Sequence, residues 1–246
     1  MDAVVTAIPV RGLVLAFVPA AIVIGIIFRW QAGAQTALYA TGRMLIQLLL
    51  IGYVLVYIFD AEQPEIIVVV LLFMLVVASW IAVRPLRHKQ PQAYRNALVA
   101  ISVGGILTLG LVSQAVLGVE PWFNPRYVVP LAGMIFAGSM NAVSLAGERF
   151  LSEFDRGEPY EKARRIALQA SLIPITNSLF AVGLVSLPGM MTGQILSGIS
   201  PMVAAKYQIV VMTMLFGASG ISAALYLMLA HRSLCRRTDV AMPTQE

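Results

Sequence analysis

Carboxylates are missing where they would matter most. All 12 Asp and Glu residues stand in loops, flanks or tails, and none lies inside a long apolar run. Carriers driven by proton gradients usually relay charge through intramembrane acids or histidines, so that energy source is disfavoured. No GxxxxGKS/T stretch occurs, so the chain does not cradle ATP phosphates in the P-loop manner, and it is not expected to be an enzyme itself. The single cysteine, Cys235, excludes an internal disulfide. The two histidines, His88 and His231, sit in basic flanks, so no His/Cys cluster exists and metal-ligating residues stay unassigned. Charge is scarce overall: 12% of the 246 residues, against about 25% in a soluble domain. The segment before Pro19 lacks a basic start, a short apolar core and a small-residue cleavage site, so no cleavable signal peptide is expected.

What fills the chain instead is hydrocarbon, at 59% hydrophobic residues. Crossing a bilayer takes about 20 apolar residues, and seven runs qualify: Gly12–Phe28, Ala37–Phe59, Ile66–Val83, Ala97–Leu117, Pro130–Gly147, Ile166–Leu187 and Lys206–Ala230. The expected fold is all-α: a polytopic membrane protein of about seven transmembrane helices, forming one permease domain over residues 1–246. Six spans are the alternative, with the first or the sixth not crossing fully. The linker Gly118–Val129 holds Pro121 and Pro125, so it is not helical throughout.

The net charge of +5 could suggest nucleic acid, but its placement points to lipid topology. Four segments, Arg29–Arg43, Arg84–Arg95, Glu148–Arg165 and His231–Glu246, hold 14 of the 17 Lys and Arg residues. Cytoplasmic loops carry the excess of Lys and Arg. With seven spans, that rule places the N-terminus outside and the C-terminus in the cytoplasm.

Two stretches stand out. Residues 183–200 open with GLVSLPGMMTGQILSG, which interrupts apolar sequence with Pro188 and with Gly183, Gly189, Gly193 and Gly198, yet carries no charge. Such a break is tolerated at membrane depth where its freed backbone faces protein or a cavity, so Pro188, Gly189, Met190 and Met191 are the candidate gate. The other stretch is the charged loop 148–165, the natural docking place for an ATPase on a separate chain. Its coupling candidates are Glu153, Arg156, Gly157, Glu158 and Ala163. A helix start at Pro159 predicts a short helix along the cytoplasmic face that could push on the sixth span. A solvated, positive-inside loop is the plainer alternative.

Polar groups inside the spans are few. Arg43 and Gln47 form an i, i+4 pair, with Arg43 read as an interfacial snorkelling residue. Asn141 and Asn177 lie at mid-depth, where interhelical hydrogen bonding is the default and a pathway role the sharper option. Met134, Met140, Met190, Met191, Met212 and Met214 flank the expected pathway. Thioethers are soft ligands, although gap-filling is the commoner use of Met. Gly133, Ala137, Gly138, Ser144 and Gly147 are expected to let helices approach closely.

The stretches GRMLIQLLLIGYVL (Gly42–Leu55), VVPLAGMIFAGSMNAVSLAGERF (Val128–Phe150), GLVSLPGMMTGQILSG (Gly183–Gly198) and SPMVAAKYQIVVM (Ser200–Met212) resemble the FetB-type permease subunits of bacterial ABC transporters implicated in iron export. A plant membrane subunit implicated in aluminium tolerance shares the pattern. The resemblance runs from about Leu38 to Leu229. It implies a homodimer in the bacterial cytoplasmic (inner) membrane, working with two copies of a cytoplasmic ATPase. ATP and Mg would bind that partner, no cofactor would bind this chain, and the substrate would be iron or a related metal, exported. The pathway would use Gln47, Met134, Asn141 and Asn177 together with the gate. The chain departs from the family pattern at Ala137-Gly138, where members carry Gly-Asn, and at Glu158, where a small residue follows the glycine. It also departs at Asn177 and Phe180, where some members carry Asp and Lys. A stand-alone transporter or channel and a non-transporting scaffold are the rival classes.

Overall fold

The computed structural model describes residues 9–60, 63–86 and 91–241, with side chains as far as His231. The described part is almost entirely helical. Packing divides it into two compact bodies, one ending at Asp60 and the other following it. The first contains α1 (Val10–Ala16), α2 (Val18–Arg29) and α3 (Ala34–Phe59). Gly33, at φ +84, lets the chain turn sharply before α3.

The second body holds α4 (Pro64–Ala82), α5 (Pro91–Gly110), α6 (Pro125–Asp155), α7 (Tyr160–Ala181), α8 (Gly189–Leu196) and α9 (Pro201–Ala241). A π-helical turn, Leu111–Val116, extends α5. Proline opens α4 and α6 at the first helical position, where its missing N–H costs nothing. Asn124 caps α6 by accepting from the Arg126 backbone N–H at 3.2 Å.

Close approaches fix the helix directions. A methyl on Gly133 would meet Met74, and one on Gly147 would meet Leu86 and Tyr226. Gly138 likewise faces Leu215 and Ser219. These pairs rise together in number, so α4, α6 and α9 run parallel. The first half of α4 shares an apolar cleft with the end of α5 (Val68 and Leu72 with Ile106 and Leu109), so α5 runs the other way. Tyr160, which opens α7, stacks on His231 near the end of α9, so α7 also runs against the parallel three. All the turns that carry Arg84, Arg149, Arg156, Lys162, Arg164 and Arg165 therefore fall at one end of the body. The opposite end carries Arg126 and Lys206.

Six of the seven expected spans are helices long and apolar enough to cross a membrane: Val10–Arg29, Ala34–Phe59, Pro64–Ala82, Pro91–Val116, Pro125–Asp155 and Pro201–His231. The expected sixth span, Ile166–Leu187, is the exception. Its helix, α7, stops at Ala181, because Val182 is extended and Gly183 has φ +83. Four charged residues, Glu161, Lys162, Arg164 and Arg165, occupy its first turns. It still has 22 residues, or about 33 Å at 1.5 Å per residue, and it packs antiparallel to α6 and α9.

Candidate functional site

The charged loop is a tight turn between two long helices. α6 ends in a Schellman motif around Gly157, whose φ is +82. The Glu158 N–H donates to the Glu153 carbonyl at 3.2 Å, and the Gly157 N–H donates to that of Phe154 at 3.0 Å. Pro159 stands at the N-cap of α7 rather than in its first turn. The anticipated short surface helix is not separate. It is the start of α7, so any displacement of the turn is carried directly along that helix.

Side chains lock this turn to the bundle. The Glu153 carboxylate is buried and sits 2.8 Å from Arg149 and 3.3 Å from Arg156. Phe150, only 1% exposed, meets Phe154 at 5.9 Å and Tyr160 edge-on at 6.0 Å between ring centroids. Tyr160 stacks on His231 at 3.7 Å. Ala163 is fully buried. The turn thus touches α6, α7 and α9 together. Its outer rim is looser: Glu158–Lys162 at 2.8 Å and Glu161–Arg164 at 2.6 Å are solvent-facing pairs, worth at most about 1 kcal/mol each.

The broken stretch lies at the opposite end, between α7 and α9. It satisfies part of its own backbone. Gly183 N–H donates to the Ser186 carbonyl at 3.0 Å, and Val185 N–H to that of Ala181 at 2.8 Å. Pro188 caps α8, and Thr192 donates its hydroxyl to the Pro188 carbonyl at 3.1 Å. α8 then closes in a second Schellman motif at Gly198, φ +89, with Ile199 N–H donating to the Gln194 carbonyl at 3.0 Å. These bonds satisfy locally a part of the backbone that the break frees. Gly189 is helical and a methyl there would meet nothing within 4 Å, so it has no need to be glycine. Gly183 and Gly198 do, because their positive φ is costly for any L side chain.

The description "Uncharacterised protein family (UPF0014)" matches residues 10–160 and 156–235. The chain belongs to this family. It is 35% identical over 223 residues to "Probable iron export permease protein FetB" of Escherichia coli K12, covering 85% of each chain. It is 35% identical over 201 residues to "Protein ALUMINUM SENSITIVE 3" of Arabidopsis thaliana, covering 75% of this chain and 72% of that one. "UPF0014 membrane protein slr1647" of Synechocystis is 34% identical over 218 residues, covering 82% and 83%. No solved structure matches the chain. Six apolar helices and membrane-protein relatives make this UPF0014 member a multi-pass membrane protein.

The remaining site candidates of this family member are scattered. Met134 is half-buried on α6 and Asn141 exposed on the same helix, while Asn177 is exposed on α7. Neither amide bonds to another helix among the described residues, contrary to the interhelical bonding expected of them. Both point away from the packed faces. Gln47 belongs to the first body, where, with its amide oxygen turned to Arg43, it accepts from Nε at 3.1 Å and Nη2 at 3.3 Å. Met190 is exposed and Met191 half-buried in the first turn of α8. Met212 and Met214 are core residues. Ala137 is exposed, so it is not one of the close-approach positions. Gly104 and Gly105 were not among those expected positions. A methyl on either would collide with Ser222 or Phe136. Also unforeseen are buried polar atoms with no partner among the described residues: Ser139 Oγ, Gln194 Oε1, Gln208 Oε1 and Ser222 Oγ. Among the described residues no three of His, Cys, Asp and Glu are grouped to hold a metal ion.

Proposed function

We propose that the chain is the membrane-spanning permease subunit of an ABC transporter in the bacterial cytoplasmic membrane. In this reading it pairs with a second copy of itself and with two cytoplasmic ATPase subunits, which bind the ATP and Mg. The turn Glu153–Ala163 receives the ATPase. ATP-driven closure moves it, and α7 carries the motion to the break at 183–200, which acts as the outer gate. The observation that supports this most is mechanical: the turn between α6 and α7 at the basic end is stapled to α6, α7 and α9 by Phe150, Tyr160 and His231. A push there is shared by three helices rather than absorbed by a loop. Identity to a relative named as an iron export permease favours iron or a related metal as the exported substrate.

Gly157→Trp tests the reading. A Cβ at Gly157 meets no atom within 4 Å, so the tryptophan starts from open space on the docking side and costs the fold backbone strain of about 1–2 kcal/mol at this positive φ. Wild-type protein purified from its host should bring down an ATP-hydrolysing subunit whose activity in lipid responds to added metal. The variant should remain in the membrane and lose that subunit or its metal response. Gradient-driven transport by the purified chain, with no ATPase attached, would overturn the proposal.

A further inference from the structure

A groove of about 580 Å³ opens between the first turns of α7 and the stretch of α9 around Ala224–Met228. Its rim is cationic: Lys162, Arg164 and Arg165 stand against one carboxylate, Glu161. Arg164 is held by Glu161 and lies over the Tyr160 ring at 5.2 Å, and Lys162 is held by Glu158. Arg165 is exposed and has no ion partner among the described residues. The floor is hydrocarbon, formed by Leu168, Ala224, Leu227 and Met228. Leu168 lies one turn further into the bundle than Arg164 and Arg165. Ala224 and Leu227 precede His231 by one to two turns on the antiparallel helix. The α7 wall therefore changes from cationic to apolar from the basic end of the body toward its middle, and the described α9 wall is apolar throughout.

That layering selects among ligands. A free phosphate would use the rim and leave the floor empty. An acidic protein surface would do the same. A glycerophospholipid with an anionic headgroup uses both, its phosphate at the rim and an acyl chain along the floor, and basic pockets between membrane helices are the sites such headgroups occupy. Ala224 contributes only a methyl group to that floor. We propose that the α7–α9 groove binds one anionic phospholipid, with Arg165, which has no ion partner among the described residues, as the cation that meets its phosphate. The proposal rests on the layout of charge and hydrocarbon in this body and not on a partner ATPase.

Native mass spectrometry of the full chain, stripped of lipid in detergent, provides the test. Phosphatidylglycerol should be retained in preference to phosphatidylcholine. Arg165→Gln should weaken phosphatidylglycerol about fivefold, the effect of one cation near an anionic lipid. Ala224→Phe fills the floor without changing a charge and should weaken it as well, whereas Lys206→Gln, at the other end, should not. If Ala224→Phe does not fold, Met228→Gln, on the half-exposed edge of the floor, takes its place. Equal retention of the two lipids would overturn the proposal. So would unchanged binding in the floor variants with displacement by inorganic phosphate, which would mean a free-anion site.

Discussion

The turn before α7 and the stretch after it use the same backbone device, a Schellman motif at glycine, and behave as opposites. At the basic end, Gly157 reverses the chain through a Schellman motif, and Pro159 caps the next helix. Beyond the far end, Gly198 does the same for α8, and Pro201 opens α9. Around Gly157 the side chains turn inward, with Phe150 and Ala163 buried and Tyr160 stacked on His231. In the other stretch they turn outward: Leu184 is 89% exposed and Val185 85%. Both stretches close the preceding helix with backbone hydrogen bonds around a positive-φ glycine. A turn becomes a stiff joint only when side chains tie it to its neighbours, and regions with few buried apolar contacts open at low cost. The stiff end suits transmission of force and the loose end suits a gate.

The largest expected effect breaks the stiff joint. Phe150→Ala removes a fully buried ring that both Phe154 and Tyr160 contact. Truncating a buried Phe costs about 3–5 kcal/mol, enough to lower the melting temperature sharply in detergent or to prevent folding. Leu184→Ala should leave the melt unchanged. Comparable losses at both positions would mean that the far stretch is packed in the working assembly, and the contrast between the ends would fail.

Much of this layout is legible in the sequence, and the parts that are not share a cause. Six of the seven apolar runs correspond to helices long and apolar enough to cross a membrane, because crossing the bilayer demands length and composition, which are properties of a contiguous stretch. The turn at Pro159 and the break after Ala181 are also local, signalled by proline and glycine. The stack of Tyr160 on His231 is not local: it needs the azimuth of two distant helices. In a soluble helix the apolar stripe reveals the buried face. Here lipid-facing and core-facing sides are both apolar, so α6 and α9 show little contrast between Ala137, which is exposed, and Ala132, which is buried. The same ambiguity hid the exposure of Asn141 and Asn177 and the tight seat of Gly104 against Ser222. The sixth expected run, Ile166–Leu187, differs from the other six because α7 begins earlier, with charged opening turns, and stops at Ala181.

A smaller effect sharpens the loose end. Gly183→Ala and Gly198→Ala each place a side chain at positive φ, at a cost of about 1–2 kcal/mol. Gly189→Ala should cost nothing and gain up to about 1 kcal/mol, because alanine is the better helix former. Hydrogen exchange of the α8 amides is the readout, since local opening need not shift the global melt. Faster exchange in the first two variants and slower exchange in the third would assign the need for glycine to the two ends of the stretch. The opposite ranking would return it to Gly189 and to the gate motif around Pro188.

The smallest effect separates rim from core within the stiff turn. Glu158→Gln removes the partner of Lys162, yet both groups face solvent, and exposed pairs are worth about 0.2–1 kcal/mol. The melt should therefore fall by no more than this, and the difference should disappear at high salt, where the Debye length shrinks to about 3 Å. Glu153, a few residues earlier, is not comparable. Its carboxylate is buried between Arg149 and Arg156 and is screened far less. The consequence concerns docking. If Glu158 contributes so little to the fold, a loss of the ATPase subunit in Glu158→Gln at unchanged stability would place this carboxylate in the interface itself. Unchanged ATPase recovery would instead leave Gly157 and the turn's shape as the feature the partner recognises.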